Sequence, residues 1–149
     1  MFHIVLLNPQ IPQNTGNIVR TCSVTGASLH LIKPLAFELS DKRIKRAGLD
    51  YWDEVNIHIW DSWQEFKEQA TEPLFFFTSK TTRKYTQVPF TQNAYLIFGS
   101  ETSGFPEIIY TSHKEDLYTI PMQHNKRCLN LSNAVAIVLY EGWRQLNFF

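Results

Sequence analysis

Three polar segments of this chain carry the residue types that chemistry needs, and each follows an apolar run. The first is Asn8-Pro9-Gln10-Ile11-Pro12-Gln13-Asn14-Thr15-Gly16-Asn17-Ile18-Val19-Arg20. Its prolines stiffen a loop, and Asn14 and Arg20 then fall within two helical turns of each other. They can present an amide and a guanidinium near a sheet edge, or belong to a capped helix whose arginine makes a structural ion pair. The second is Gly99-Ser100-Glu101-Thr102-Ser103-Gly104-Phe105-Pro106. Its glycines permit close backbone approach to a ligand, and Glu101 can accept hydrogen bonds or meet a positive charge. A tight turn before a proline-started helix is the plainer alternative. The third runs from Ile120-Pro121-Met122 to Cys128-Leu129-Asn130-Leu131-Ser132-Asn133-Ala134. It sets polar side chains at the start of an apolar helix, beside the cations Lys126 and Arg127, which suit an anionic neighbour as well as an ordinary cap. The second and third segments leave strand ends, where open α/β sheets bind ligands, so they suggest one composite pocket.

Other constellations are missing. No G-x-G-x-x-G follows the first strand, no Walker lysine loop is present, and Glu101-Thr102-Ser103-Gly104 does not make a hydrolase elbow. The five histidines show no ligand spacing on a helix face, and His30 and His58 read as core or edge residues of strands. The two cysteines, Cys22 and Cys128, have neither metal-ligand spacing nor the number for a disulfide framework, so reduced thiols are expected. No metal site is expected.

The elements that must position these segments alternate. Strands are predicted at Phe2–Leu7, Leu29–Ile32, Val55–Trp60, Leu74–Thr78, Ala94–Phe98 and Leu117–Met122. Helices are predicted at Thr15–Thr25, capped by Asn14 or Thr15 and stopped by Gly26, and from a Ser40 or Asp41 cap to about Ala47. Others follow at Trp63–Ala70, Pro106–Tyr110 and Leu131 to about Leu146. Apolar strands alternating with helices imply an α/β fold, a mostly parallel sheet with helices on both faces. The last helix is apolar almost all round from Ala134 to Tyr140, so burial is expected there.

At 149 residues, with 44% hydrophobic and 14% aromatic content, one folded domain over residues 1–149 is expected. The formal net charge is zero, so any polyanion must be held by local patches. Three candidates are Lys42, Arg43, Lys45 and Arg46, then Lys80, Arg83 and Lys84, then Lys126 with Arg127. For each, a solvated face is the commoner explanation. Ile4–Leu7 is too short for a signal peptide and no run has membrane-spanning length, so a cytoplasmic location without membrane contact is expected.

Taken together, the three segments resemble the signatures of the SPOUT methyltransferases. N-x-x-x-x-x-R is matched by Asn14 through Arg20, F-G-x-E-x-x-G-hydrophobic-P by Phe98 to Pro106, and I-P-M with L-N-L-S-x-A by Ile120 to Met122 and Leu129 to Ala134. The resemblance spans essentially the whole chain and is nearest the small single-domain TrmL-type branch. It shares Lys45-Arg46-Ala47-Gly48-Leu49-Asp50-Tyr51 with that branch, and departs at Cys128, where relatives often carry serine. The resemblance implies a deep C-terminal trefoil knot and a homodimer. It implies S-adenosylmethionine-dependent methylation, without metal, of the ribose 2′-hydroxyl of the wobble cytidine or modified uridine in a tRNA anticodon. It further implies a cofactor site at Phe77, Thr78, Gly99, Glu101, Gly104, Ile120, Met122, Cys128, Leu129 and Asn130. Arg20 would sit at the 2′-hydroxyl, Asn14 would position Arg20 or the ribose, and Tyr140 is a further catalytic candidate. Trp143, Phe148 and Phe149 are candidate interface residues. A non-catalytic RNA-binding protein on the same fold is the alternative; the joint presence of Asn14, Arg20, Glu101 and Asn130 speaks against it.

Overall fold

A computed structural model describes the backbone of residues 1–149 and every side chain except those at 48–50. Strands β1 (His3–Leu7), β2 (Ser28–Ile32), β3 (Ile57–Trp60), β4 (Leu74–Phe77), β5 (Tyr95–Phe98) and β6 (Leu117–Tyr118) form one sheet in the order β3-β2-β1-β5-β4-β6. Every pairing is parallel. Helices α1 (Pro12–Thr25), α2 (Lys42–Gly48), α3 (Trp63–Gln69), α4 (Glu107–Ser112) and α5 (Leu131–Gln145) connect or follow the strands.

Successive side chains of a strand point to opposite faces, so a strand covered on both sides must be apolar at every position. In β4, Phe75 and Phe77 enter one core with Ile4, Leu6, Leu96 and Val135. Phe76 enters the other with Val5, Leu7, Ile97 and Ile109. The first core lies beneath α1 and α5, the second beneath α3 and α4. Phe76, fully buried, contributes roughly 1.5–3 kcal/mol by leaving water.

Several local expectations are corrected. Helix α1 begins at Pro12, with Ile11 at its cap and no side-chain bond there. Asn14 therefore lies inside the first turn and not at the cap, because Pro12 pre-sets the helical φ. Gly26 does end the helix, at φ 77. Strand β6 stops at Tyr118, four residues short of Met122: only Thr119 continues its pairing, as a single bridge to Lys84, and Pro121 can donate nothing. Strand β3 starts at Ile57, after a 3-10 turn over Leu49–Glu54. Helix α4 spans Glu107–Ser112 with Pro106 outside it as the cap. Helix α5 is buried on one side only: Ile137 is 37% and Tyr140 44% exposed, because the sheet and α1 cover a single stripe of it.

Candidate active site

The loops leaving β1, β4, β5 and β6 meet at the carboxyl edge of the sheet around a cavity of about 650 Å³. Parallel strands all end at this edge, and β1 and β5 are neighbours, which brings their loops together. Phe77, Thr78, Gly99, Glu101 and Gly104 line the cavity from β4 and the turn after β5. Ile120, Met122, Cys128, Leu129, Asn130 and Asn14 line it from the other side. The turn itself is tight. Ser100 and Gly104 exchange two backbone bonds, and a Cβ on Gly99 would fall 2.5 Å from the Gly104 carbonyl carbon, so only glycine fits.

The three polar motifs are knitted along one wall. Glu101 accepts from Gln10 N at 2.8 Å through Oε2 and from Ile11 N at 3.0 Å through Oε1. These are amides just ahead of α1, so a carboxylate from the turn after β5 supplies the cap that α1 lacks locally. Asn14, 4% exposed, donates to Glu101 Oε1 at 3.4 Å and accepts from Asn130 Nδ2 at 2.9 Å. Asn130 in turn accepts from Ser132 N at 2.9 Å and from Ser132 Oγ at 2.6 Å, capping α5. Both ends of the Asn14 amide are thus committed within the protein.

Arg20 and Tyr140 do not reach this cavity. They line a second cleft of about 400 Å³ between α1 and α5, with Asn17, Thr21, Ser132 and Asn133. The Arg20 guanidinium lies 5.2 Å from the centre of the Tyr51 ring. Tyr140 is not a core residue; it is exposed in that cleft. The two hollows share the first turn of α5, whose successive residues face one or the other.

The cations divide by partner. Arg43 is held by Asp41 at 2.9 Å, and Arg83 by the carboxylate and carbonyl of Glu115 and the Tyr118 hydroxyl. Lys80 and Arg127 line the cavity, and neither forms an ion pair among the described residues. Lys80 Nζ sits 5.1 Å from the centre of the Tyr110 ring. Sequence reasoning did not single out Tyr110 or Tyr51; an aromatic that packs on a distant cation leaves no periodic signal. Cys22 is buried, its thiol pushed up to about 12 by desolvation, and is no nucleophile. Cys128 is exposed and donates to Ser79 Oγ at 3.5 Å. Among the described residues, no group of His, Cys, Asp or Glu is placed to hold a metal ion. No helix among them is long and apolar enough to cross a membrane.

A cavity at the strand ends, walled by three polar motifs that hydrogen-bond to one another, defines the class: an α/β enzyme domain with a composite ligand site. A family model described as the SpoU rRNA Methylase family matches residues 1–140. The chain belongs to this family. A tRNA (cytidine(34)-2'-O)-methyltransferase from Saccharophagus degradans is 49% identical, covering 99% of this chain and 97% of that one. A solved structure described as structural insights into the 2-OH methylation of C/U34 on tRNA superposes at a TM-score of 0.94, with 40% identity over 100% of this chain and 98% of the other. The SpoU methyltransferase AviRb of Streptomyces viridochromogenes, solved with the cofactor AdoMet, shares the fold at a TM-score of 0.87 and 23% identity, over 97% of this chain and 57% of that one.

The cavity has the size and lining of a small-molecule site. Its size lies in the range of small-molecule sites, roughly 300–1,000 Å³. Phe77, Ile120, Leu129 and Ala134 give apolar walls, and the N–H groups of Ile120, Met122, Cys128 and Leu129 have no protein acceptor among the described residues. A flat heterocycle with polar edges needs that combination.

Proposed function

We propose that this chain methylates the ribose 2′-hydroxyl of the wobble nucleotide, cytidine or modified uridine, in a tRNA anticodon, using S-adenosylmethionine. The observation that carries this reading is the convergence of all three motifs on one cavity, in a chain 49% identical to a tRNA (cytidine(34)-2'-O)-methyltransferase over nearly its full length.

The cofactor supplies a methyl group already activated on a sulfonium, so the protein's task is alignment of oxygen, methyl and sulfur. Backbone N–H groups of Ile120, Met122, Cys128 and Leu129 hold the adenine edge, and Phe77, Thr78 and Gly99 border the adenosine. Glu101 and Asn14, both spent on internal bonds, act as positioning residues that fix α1 against the cavity. Arg20 orients the 2′-hydroxyl and stabilises the charge that develops on it. A guanidinium stays protonated, so the proton leaves to phosphate or water.

Because Arg20 and Tyr140 open to the α1–α5 cleft and not to their own cavity, the active unit in this reading is a homodimer. One copy brings Arg20 to the cavity of the other. Exposed Val24, Ile137 and Tyr140 give that face its apolar surface, and Trp143, Phe148 and Phe149 extend it. Lys42, Lys45 and Arg46 on α2 offer phosphate contacts that position the tRNA without reading its sequence. A threaded C-terminal segment belongs to the same reading, supported by α5 returning from the β6 edge to pack on α1 and β5. The protein works in the cytoplasm, where its substrate is, and the reaction needs no metal.

The test is transfer of label from methyl-labelled S-adenosylmethionine to bulk tRNA from cells lacking this protein, followed by nucleoside mapping. Label at the 2′-oxygen of a wobble nucleotide is expected. Label at a base, or at another ribose, would replace this reading.

A further inference from the structure

The geometry points to Lys80 as the residue that holds the carboxylate of the cofactor's amino-acid end, on a shelf built by Tyr110. This rests on the S-adenosylmethionine reading of the cavity and adds the contact that distinguishes a whole cofactor from its adenosine part.

Three charged side chains line the cavity: Lys80, Glu101 and Arg127. Glu101 is no counter-ion for the two cations, since both its oxygens accept from Gln10 N, Ile11 N and Asn14. Neither cation has a carboxylate partner among the described residues. With two cations and one carboxylate, the wall carries net positive charge, and an anionic group of a ligand placed there gains a charge-assisted contact.

Of the two, Lys80 is the one whose place is defined. Its Nζ lies 5.1 Å from the centre of the Tyr110 ring, and its backbone N donates to Thr78 Oγ1 at 3.2 Å. The Tyr110 hydroxyl lies 3.4 Å from the same Thr78 oxygen, and its ring packs 6.0 Å from Phe105 in the core. A Cβ on Gly104 would meet that hydroxyl at 3.4 Å, so the shelf reaches the turn after β5. Lys80 and Arg127 are both exposed, but Arg127 stacks on no aromatic ring among the described residues. A lysine is a compact point charge, suited to a single carboxylate at the end of a flexible chain.

An RNA phosphate is also an anionic oxygen donor, and the measurement separates the two sources. Calorimetric affinities of the wild type, Lys80→Met and Lys80→Arg are compared for S-adenosylhomocysteine, for its decarboxylated counterpart S-adenosyl-3-thiopropylamine, and for tRNA. Expected is a loss of about tenfold for S-adenosylhomocysteine in Lys80→Met, no change for the decarboxylated ligand, and recovery in Lys80→Arg. Equal loss for both small ligands would make Lys80 merely structural and overturn the inference. Loss for tRNA alone would assign the lysine to phosphate, with the same result. If the wild type binds neither small ligand, the cofactor reading itself fails and takes this inference with it.

Discussion

Asn130 Nδ2 donates to Asn14 Oδ1 at 2.9 Å, across a sequence separation of 116 residues. This single bond joins the start of α5 to the first turn of α1 and sets the wall between the cavity and the cleft. Its partner amide, on Asn14, is buried, so losing the donor leaves an oxygen without water to replace it.

Asn130→Ala removes this bond and the cap on Ser132 N together. A loss of about 1–3 kcal/mol in folding free energy is expected, with weaker cofactor binding. Asn130→Asp keeps the cap but cannot donate to Asn14, so it should recover stability more than cofactor affinity. Chemical denaturation and calorimetry read both quantities. An Ala variant with wild-type stability and affinity would show the bond to be incidental.

Glu101→Gln replaces one accepting oxygen by an amide that faces a backbone N–H. The α1 N-terminus loses a carboxylate and one bond, which costs about 1–2 kcal/mol. The rate of methyl transfer should fall more than cofactor affinity does, since the change acts on the placement of α1. Parallel loss of cofactor binding would instead mark Glu101 as a direct ligand.

Arg20→Ala should abolish transfer and spare cofactor binding, because Arg20 lies outside the cavity. Mixed with Cys128→Trp, whose bulk fills the cavity of its own copy, the inactive variant should regain activity. In that hybrid an intact cavity faces an intact Arg20. Silence in the mixture, with dimers present, would mean that Arg20 serves its own chain.

Tyr51→Leu removes the ring on which Arg20 rests at 5.2 Å. An exposed cation–π contact is worth about 0.5–1 kcal/mol, so transfer should slow about two- to fivefold with unchanged cofactor affinity, and Tyr51→Phe should behave as wild type. The effect should vanish in an Arg20→Lys background if the ring acts through the planar guanidinium. An equal slowing there would assign Tyr51 a different role.

Stability should fall with acidification. The Trp60 indole donates to His30 Nδ1 at 3.0 Å, so the neutral His30 ring carries its proton on Nε2, facing His3 Nδ1 at 3.1 Å. Burial first, then the charges of His58 and His3, holds His30 down to about 3 from 6.5, and burial lowers His3 as well. Between those values the unfolded chain binds more protons, so the stabilisation is complete above about 6.5 and drains as pH falls below it. Denaturant midpoints measured from neutral pH to about pH 5 should decline, and His30→Phe should flatten the decline. A level profile would rule out this linkage.

The amino-acid sequence by itself determined the alternation of elements and much of the site's membership. Unbroken apolar runs such as Leu74–Phe77 can only be strands covered on both faces, and Gly26 stops α1 because its left-handed backbone suits glycine. The polar segments after two of the runs are where a parallel sheet collects its loops, so Gly99, Met122 and Asn130 were legible as neighbours, whereas Thr78 was implied only by the family resemblance. The tertiary structure alone decided what each polar group bonds. Glu101 caps α1 from 90 residues away because β1 and β5 lie side by side, an order that no local pattern encodes. For the same reason Asn14 turned out to be an interior strut. Arg20 and Tyr140 fell on the far side of α5 from the cavity, since helical spacing sets which residues share a face while packing alone sets what that face meets.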